Sequence, residues 1–270
     1  MNNAPFTAAR PARQHRFVEA LLADRHSLPL SIALHLVPGA LIVAVYAFVS
    51  APLVRAIEYP PFMAWAIALA VVLFPILGGL LWLGKKASGR YRLRGGALRY
   101  TDRPVSRGKV TGMIVFCLLW MTVVSILLLP LDNLLYEHAF SWIQYEGTGD
   151  SATSYLNGYS QNMLLTTLLI CGPFTGFLLP LIEEYYFRGF LLPRLPQLGA
   201  WAPVASTVLF SVYHFWAPWT VLSKLVFLFP GIWLAWKKED IRISIGMHPG
   251  SALLMTVVGV IAVAAGKTSL

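Results

Sequence analysis

Residues 163–192 read MLLTTLLICGPFTGFLLPLIEEYYFRGFLL, and they are the most informative part of the chain about its fold. It begins with a long uncharged run and then carries two adjacent acids, Glu183 and Glu184. A helix needs about 20 apolar residues to cross the hydrocarbon core of a bilayer. The stretch is therefore predicted to span a membrane, although it is overlong for one span and contains Pro173 and Pro180.

The rest of the chain, measured in the same way, predicts an all-α, polytopic transmembrane helical bundle of about seven spans. The 270 residues are 57% hydrophobic and 12% charged, whereas soluble domains have about 25% charged residues. An ordinary soluble enzyme is therefore excluded. Both cysteines, Cys117 and Cys171, lie in apolar runs, so neither a disulfide framework nor a cysteine metal site is expected. The predicted spans are 28–51, 62–83, 111–131, 163–192, 202–216, 220–236 and 243–265.

The basic residues predict the orientation of these spans. The chain has 21 lysines and arginines against 12 acids, a net charge of +9. They concentrate in the tail 1–27 and in the loop 85–109, whereas the segment 132–162 has acids and no lysine or arginine. Because cytoplasmic loops are enriched in lysine and arginine, we expect a cytoplasmic N-terminus. The charge also favours contact with membrane lipids, and no nucleic-acid partner is expected.

Ionisable side chains inside predicted spans are the candidate functional residues, because a charge in a bilayer is costly. His35 is alone in its span, which favours a hydrogen-bonded packing residue. Lys224 lies about one turn from a span end, and its side chain can extend to the membrane interface. The full set is His35, Glu183, Glu184, Arg188, His214, Lys224 and His248.

The two adjacent glutamates have different local surroundings. Glu184 and Arg188 are four residues apart, so they share a helix face and can neutralise each other. Glu183 points about 100° away and has no local partner, so it is predicted to face a cavity, a water molecule or a distant cation. The alternative is that both acids only form salt bridges between helices.

A helical hairpin is predicted to bring a histidine to the depth of the unpaired acid. Glu183 lies 15 residues before Leu198, in the polar turn between two spans, and His214 lies 16 residues after it. The two side chains should therefore reach similar depth. Phe210 is one turn before His214 on the same face and is expected to form a wall of the site. His248, near the start of the last span, is expected to be shallower.

A carboxylate and two histidines from three helices suit two chemistries. Glu183, His214 and His248 form the donor set of a catalytic zinc site that keeps one open position. The same residues suit metal-free catalysis, in which a desolvated glutamate activates water and histidines orient it or stabilise an oxyanion. The residues leave both open, so zinc is a candidate cofactor and a metal-free glutamate mechanism is its equal.

Three short motifs point to a family. Residues 183–189 read EEYYFRG, residues 210–214 read FSVYH, and His248 is followed four positions later by Ala252. The first two match the EExxFRG and FxxxH motifs, so the chain resembles the CPBP family of intramembrane proteases. This family includes type II CAAX prenyl endopeptidases and bacterial Abi-type proteins. The third family motif, His followed by Asn or Asp four residues later, is half present. The resemblance covers about residues 168–264.

The resemblance implies an intramembrane endopeptidase that hydrolyses a peptide bond of a membrane-associated or lipidated protein or peptide. It implies that Glu183 activates the hydrolytic water and that His214 holds this water or a metal. His248 would stabilise the oxyanion or act as a ligand, and Glu184 and Arg188 would organise the site.

Position 252 leaves an alternative function open. If an amide normally donates a hydrogen bond there, Ala252 would lower turnover by about 10²–10³-fold, the usual scale for one oxyanion donor. Ser251 has a hydroxyl but lies one residue off the expected face, so it is a partial substitute. The alternative is a catalytically impaired membrane adaptor or chaperone-like relative of the same family.

The chain is expected to divide into three parts. These are a basic cytoplasmic tail (1–27), N-terminal spans with a basic cytoplasmic loop (28–162) and a protease-like core (163–270). The tail precedes a span too long for the apolar region of a signal peptide, so we expect it to be retained. The expected location is a bacterial plasma (inner) membrane, with a protein or peptide substrate as partner.

Overall fold

The computed structural model describes residues 13–101, 105–143 and 158–266. Over these residues the chain is helical and has no strand, which confirms the predicted all-α fold. The main helices are α1 (Arg13–Leu22), α2 (Leu28–Ala56), α3 (Pro61–Ser88), α4 (Arg107–Phe140), α5 (Gln161–Arg194), α6 (Ala202–Tyr213), α7 (Pro218–Lys238) and α8 (Ile241–Ala264). Over the described residues, six of them are long and apolar enough to cross a membrane, namely α2 to α5, α7 and α8.

The predicted span 202–216 is shorter in the structure. Its helix, α6, has 12 residues, a length of about 18 Å at 1.5 Å per residue. His214 (φ −78°, ψ 58°) and Ala217 (φ −143°, ψ 61°) have non-helical backbone before α7 begins. The count of about seven spans is therefore not confirmed. The cytoplasmic N-terminus stays a prediction, and residues 1–12 and 144–157, part of its basis, lie outside the described residues.

Helix α5 continues through Pro173 and Pro180. Proline lacks the N–H that an α-helix needs, and a π-helical stretch, Phe174–Leu178, directly follows Pro173. A second π-helical stretch, Glu184–Leu191, begins at the paired acids. Because π-helical turns occur frequently at functional sites, the irregular part of α5 coincides with the predicted site.

Helix α5 packs closely against α8. Side chains added at Gly172 or Gly176 would overlap Thr256 of α8, so the GxxxG spacing lets the two backbones approach. This approach brings the start of α8, which carries His248, to the paired acids on α5.

The first half of the chain supports the same region. The main hydrophobic core joins buried residues such as Ile42 of α2, Phe187 of α5 and Met247 of α8. The Tyr186 hydroxyl donates to the Leu34 carbonyl oxygen, with an O–O distance of 2.7 Å.

Helix α4 presents an apolar face outward, as expected for contact with lipid. Its exposed residues include Val115, Phe116, Leu119, Trp120, Val123, Ile126, Leu127 and Leu129.

Candidate active site

Glu183 lies in the interior of the bundle, where it has a partner that the sequence analysis missed. It is 6% exposed, and its Oε1 accepts a hydrogen bond from the Tyr213 hydroxyl across 2.8 Å. Tyr213 ends α6 and is fully buried. A signal was present in the sequence, because Tyr213 is the residue before the motif histidine and lies three residues after Phe210. The bond holds one carboxylate oxygen of Glu183 in place.

Glu184 and Arg188 form the predicted pair on one face of α5. Arg188 Nη1 lies 3.1 Å from Glu184 Oε1, and both side chains are fully buried. The guanidinium also lies over the Phe210 ring, 3.9 Å from its centroid. A buried charge is tolerated when it is paired, so the pair allows Glu184 to stay ionised in the interior.

His248 bridges the two glutamates. Its Nδ1 lies 2.9 Å from Glu184 Oε1, and its Nε2 lies 3.8 Å from Glu183 Oε2. Because an ionised carboxylate only accepts hydrogen bonds, Nδ1 carries the hydrogen. In the neutral imidazole, Nε2 is then an acceptor that faces Glu183. His248 is expected from the sequence to lie at a shallower depth than Glu183, but its side chain contacts Glu184 and faces Glu183.

His214 lies at the non-helical end of α6. Its Nδ1 is 2.8 Å from the Phe210 carbonyl oxygen, which can only accept, so its Nε2 is also an acceptor when the ring is neutral. The Phe210 ring packs against both imidazoles, with centroids 4.9 Å from His214 and 5.6 Å from His248. The ring of Phe210 therefore lies beside both histidines, and its role as a wall of the site stays a prediction. Among the described contacts, none joins His214 to Glu183 at hydrogen-bond distance.

The predicted zinc ligands do not fit a metal in this geometry. In the described part of the chain, no three His, Cys, Asp or Glu side chains are placed to hold a metal ion. The Nδ1 atoms of both histidines are engaged, by Phe210 and by Glu184, so Nε2 is the nitrogen that each ring would offer to a metal. Zinc binding stays a prediction from the sequence.

Ser251 does not extend toward the glutamates in this structure. Its hydroxyl donates to the His248 carbonyl oxygen, with an O–O distance of 2.9 Å. Its predicted contribution as a partial substitute at position 252 stays untested. Position 252 itself carries a methyl group, and the Ala252 carbonyl accepts a hydrogen bond from Thr256.

The described contacts of His35 do not include the paired acids, and they agree with the packing role favoured from the sequence. It is fully buried, its Nδ1 lies 2.7 Å from the Ser31 carbonyl oxygen, and its ring packs 5.5 Å from that of Phe187. The prediction of a hydrogen-bonded packing histidine is confirmed.

Lys224 has electrostatic interactions that its position in the sequence does not indicate. Its side chain is partly exposed, and its extension to the membrane interface stays a prediction. Its ammonium also interacts electrostatically with Glu183, His214 and Asp132. Lys224 therefore belongs to the surroundings of the site. Its approach depends on the packing of α7 against α4 and α6, so no local sequence pattern indicates it.

The comparisons with known proteins agree with this arrangement. Residues 165–254, about a third of the chain, match the family model described as Rce1-like, type II CAAX prenyl endopeptidase. The matched range contains Glu183, His214 and His248, and the match confirms the predicted resemblance. It suggests a CAAX-type intramembrane protease with a protein or peptide substrate. With the apolar helices, it indicates an integral membrane protein. Comparisons with curated proteins and with solved structures found no match.

Proposed function

We propose that this protein is an intramembrane endopeptidase in which Glu183 activates water to hydrolyse a peptide bond of a membrane-associated or lipidated substrate. The proposal rests on one observation, the different partners of the two oxygens of the Glu183 carboxylate. One oxygen accepts from Tyr213, and the other faces the acceptor nitrogen of His248 across 3.8 Å. A buried carboxylate with one free oxygen is suited to be a general base.

The gap between Glu183 and His248 has the size and chemistry to orient one water molecule. A direct N–O hydrogen bond is usually 2.7–3.2 Å long, so 3.8 Å is too long for one. Glu183 Oε2 and the neutral His248 Nε2 are both acceptors, and a water molecule has two hydrogens to donate. Water held by both groups points its lone pairs away from them, toward an approaching carbonyl carbon.

The reaction then needs two proton transfers and no external reagent. The water oxygen bonds to the scissile carbonyl carbon, the π electrons move to the carbonyl oxygen, and a water proton passes to Glu183. When the intermediate collapses, the carbonyl re-forms and the C–N bond breaks. The proton on Glu183 passes to the leaving nitrogen, and the products are a carboxylic acid and an amine. Glu183 returns to its ionised state.

The remaining motif residues orient these groups. Glu184 holds His248 Nδ1, so that Nε2 faces Glu183. Arg188 pairs with Glu184 and keeps its carboxylate ionised. The ionised carboxylate can only accept, so it favours the tautomer of His248 that carries a hydrogen on Nδ1. His214, whose Nδ1 is held by the Phe210 carbonyl, offers Nε2 as an acceptor to a substrate N–H.

The test is a comparison of purified variants on a library of membrane-tethered peptides. We expect Glu183→Gln to lower kcat by about 10²–10⁴-fold, the usual contribution of one general base, and His214→Ala to be severely impaired. Glu19→Gln, which changes an exposed glutamate on α1 in the same way, should retain wild-type activity. Activity that survives both site substitutions would contradict the proposal.

A second candidate function rests on Ala252. The methyl group at this position, together with the Ser251 hydroxyl bound to its own helix, favours a membrane adaptor or chaperone-like relative that has lost turnover. Complementation of a deletion strain distinguishes the two. The adaptor keeps its cellular phenotype with Glu183→Gln, whereas the protease loses it.

A further inference from the structure

The proposed hydrolysis needs a hydrogen-bond donor for the oxyanion, and the histidines do not supply one in their neutral forms. When water adds to a carbonyl carbon, negative charge develops on the carbonyl oxygen, and N–H or O–H groups must face it. His248 uses Nδ1 on Glu184, and His214 uses Nδ1 on the Phe210 carbonyl. The Nε2 atom that each has left is an acceptor.

Two other groups near the glutamates are less suited to this role. Arg188 pairs with Glu184 and lies against the face of Phe210, and its N–H groups make no hydrogen bond within the described residues, but its side chain is fully buried and has no surface open to a substrate. The Ser251 hydroxyl donates to the backbone of its own helix. A partly exposed donor on another helix would suit this role better.

Lys224 of α7 lies at the depth of the proposed reaction. The ends of α5 and α7 and the start of α6 lie on one side of the bundle, since one cavity is lined by Arg194, Ala202 and Trp236. Counted from these helix ends, Glu183 lies 11 residues in, His214 12 and Lys224 14. At 1.5 Å per residue these depths are about 16, 18 and 21 Å.

The Lys224 ammonium interacts with the charges of the proposed site and has hydrogen-bond donors to offer. It interacts electrostatically with both Glu183 and His214. Over the described residues it makes no hydrogen bond, and its side chain is partly exposed. An ammonium carries three N–H donors. Lys224 can therefore donate to a substrate oxygen without giving up an existing hydrogen bond.

Neighbouring contacts hold this part of α7 in position. The Ser223 hydroxyl donates to Asp132 Oδ2 of α4 across 2.7 Å, and the rings of Trp219 and Tyr136 pack 4.9 Å apart. Asp132 is also a counter-ion for Lys224, which helps to keep the ammonium charged at membrane depth. Lys224 therefore interacts electrostatically both with a structural carboxylate and with the proposed general base.

We propose that Lys224 is a further catalytic residue, whose ammonium donates a hydrogen bond to the carbonyl oxygen of the scissile peptide bond as water adds. The inference rests on the proposed peptidase function. Lys224 stabilises the charge that the π electrons bring to the oxygen and keeps its own proton, so the proton balance between water, Glu183 and the leaving nitrogen is unchanged.

The experiment compares Lys224→Met and Lys224→Arg with the wild type. We expect Lys224→Met to lower kcat by about 10²–10³-fold with KM nearly unchanged, because an oxyanion contact acts in the transition state. Lys224→Arg, which keeps a cationic donor, should retain part of the activity. Asp132→Asn is the matched control that removes the counter-ion. It should lower the thermal unfolding midpoint and should lower kcat less than Lys224→Met does.

A binding measurement separates this role from a structural one. The probe is a peptide phosphonate, which places an anionic tetrahedral phosphorus where the scissile carbonyl would be. We expect Lys224→Met to weaken binding of the phosphonate by about 10²-fold. Binding of the uncharged parent peptide is measured in the Glu183→Gln protein, which should not cleave it. Adding Lys224→Met to that protein should leave this affinity unchanged. Equal loss of both affinities, or wild-type kcat in Lys224→Met, would overturn the inference.

The outcomes distinguish this inference from the proposed function. If Glu183→Gln abolishes turnover and Lys224→Met does not, the peptidase stands and the role of Lys224 is wrong. If the wild type cleaves no peptide, the peptidase proposal fails. The phosphonate measurement then still decides whether Lys224 binds a tetrahedral anion, and wild-type protein that does not bind the phosphonate contradicts that too.

Discussion

The Tyr213 hydroxyl donates to Glu183 Oε1 across 2.8 Å and joins the end of α6 to the interior of α5. The two residues are far apart in sequence, and both are buried. The bond leaves Oε2 of Glu183 facing His248. Tyr213 thus determines which oxygen of the proposed base is available.

Removal of this hydroxyl is the first prediction. A hydrogen bond to a charged group contributes about 1.5–3 kcal/mol, so we expect Tyr213→Phe to lower kcat by about 10–100-fold. The measurement is peptide hydrolysis by the purified variant. Tyr186→Phe is the matched control, because its hydroxyl binds the Leu34 carbonyl instead. Equal kcat values for the two variants would show that the bond to Glu183 has no catalytic role.

The second prediction concerns the buried ion pair. Arg188→Met leaves Glu184 without its cation, and breaking a buried pair usually costs about 3–5 kcal/mol. We expect a large fall in the thermal unfolding midpoint of the detergent-purified protein. Asp24→Asn, which breaks an exposed ion pair with Arg99, should change the midpoint little. Similar midpoints for both variants would mean that Glu184 finds another partner.

The third prediction tests the contact between α2 and the end of α6. A Cβ at Gly39 would overlap the backbone carbonyl of Tyr213, and a backbone atom cannot move aside as a flexible side chain can. We expect Gly39→Ala to cost about 1–3 kcal/mol, as other overpacked substitutions do, and to lower kcat because Tyr213 is displaced. Gly78→Ala on α3, which meets nothing within 4 Å, should leave both unchanged.

The fourth prediction is a pH dependence of stability at His26, which precedes α2. The side chain is 1% exposed, and its Nε2 lies 3.0 Å from the Leu21 carbonyl oxygen. Burial lowers the pKa of His26 below its ordinary value of 6.5. The unfolded chain therefore binds the proton more readily, so stability is full above pH 6.5 and is lost as the pH falls through the lowered pKa.

Thermal melts of the wild type and of His26→Gln between about pH 5 and pH 8 check this dependence. The midpoint of the wild type should fall more steeply toward low pH than that of the variant. Parallel curves would assign the pH dependence to other groups.

The fifth prediction is the orientation of the helices. Cys117 and Cys171 are buried, so an introduced cysteine can be labelled against a silent background. Arg55, in the last turn of α2, and Arg90, just after α3, are both exposed, and the length of α3 separates them. We expect a membrane-impermeant maleimide to label Arg90→Cys only from the cytoplasmic side and Arg55→Cys only from the other side. The reverse pattern would contradict a cytoplasmic N-terminus.

Features that depend on local periodicity were predictable from the sequence. The apolar runs indicated the membrane helices, because length and hydropathy alone determine whether a helix can cross a bilayer. The pairing of Glu184 with Arg188 followed from four-residue spacing on one helix, and so did the lack of a local partner for Glu183. The scarcity of charge in these runs also directed attention to His214 and His248.

Contacts between helices depend on the tertiary structure. The approach of His248 to both glutamates and the hydrogen bond of Tyr213 to Glu183 join residues on different helices. The electrostatic interaction of Lys224 with Glu183 and His214 also joins different helices. Local spacing defines the face of one helix, whereas contacts between helices depend on their packing and relative depth.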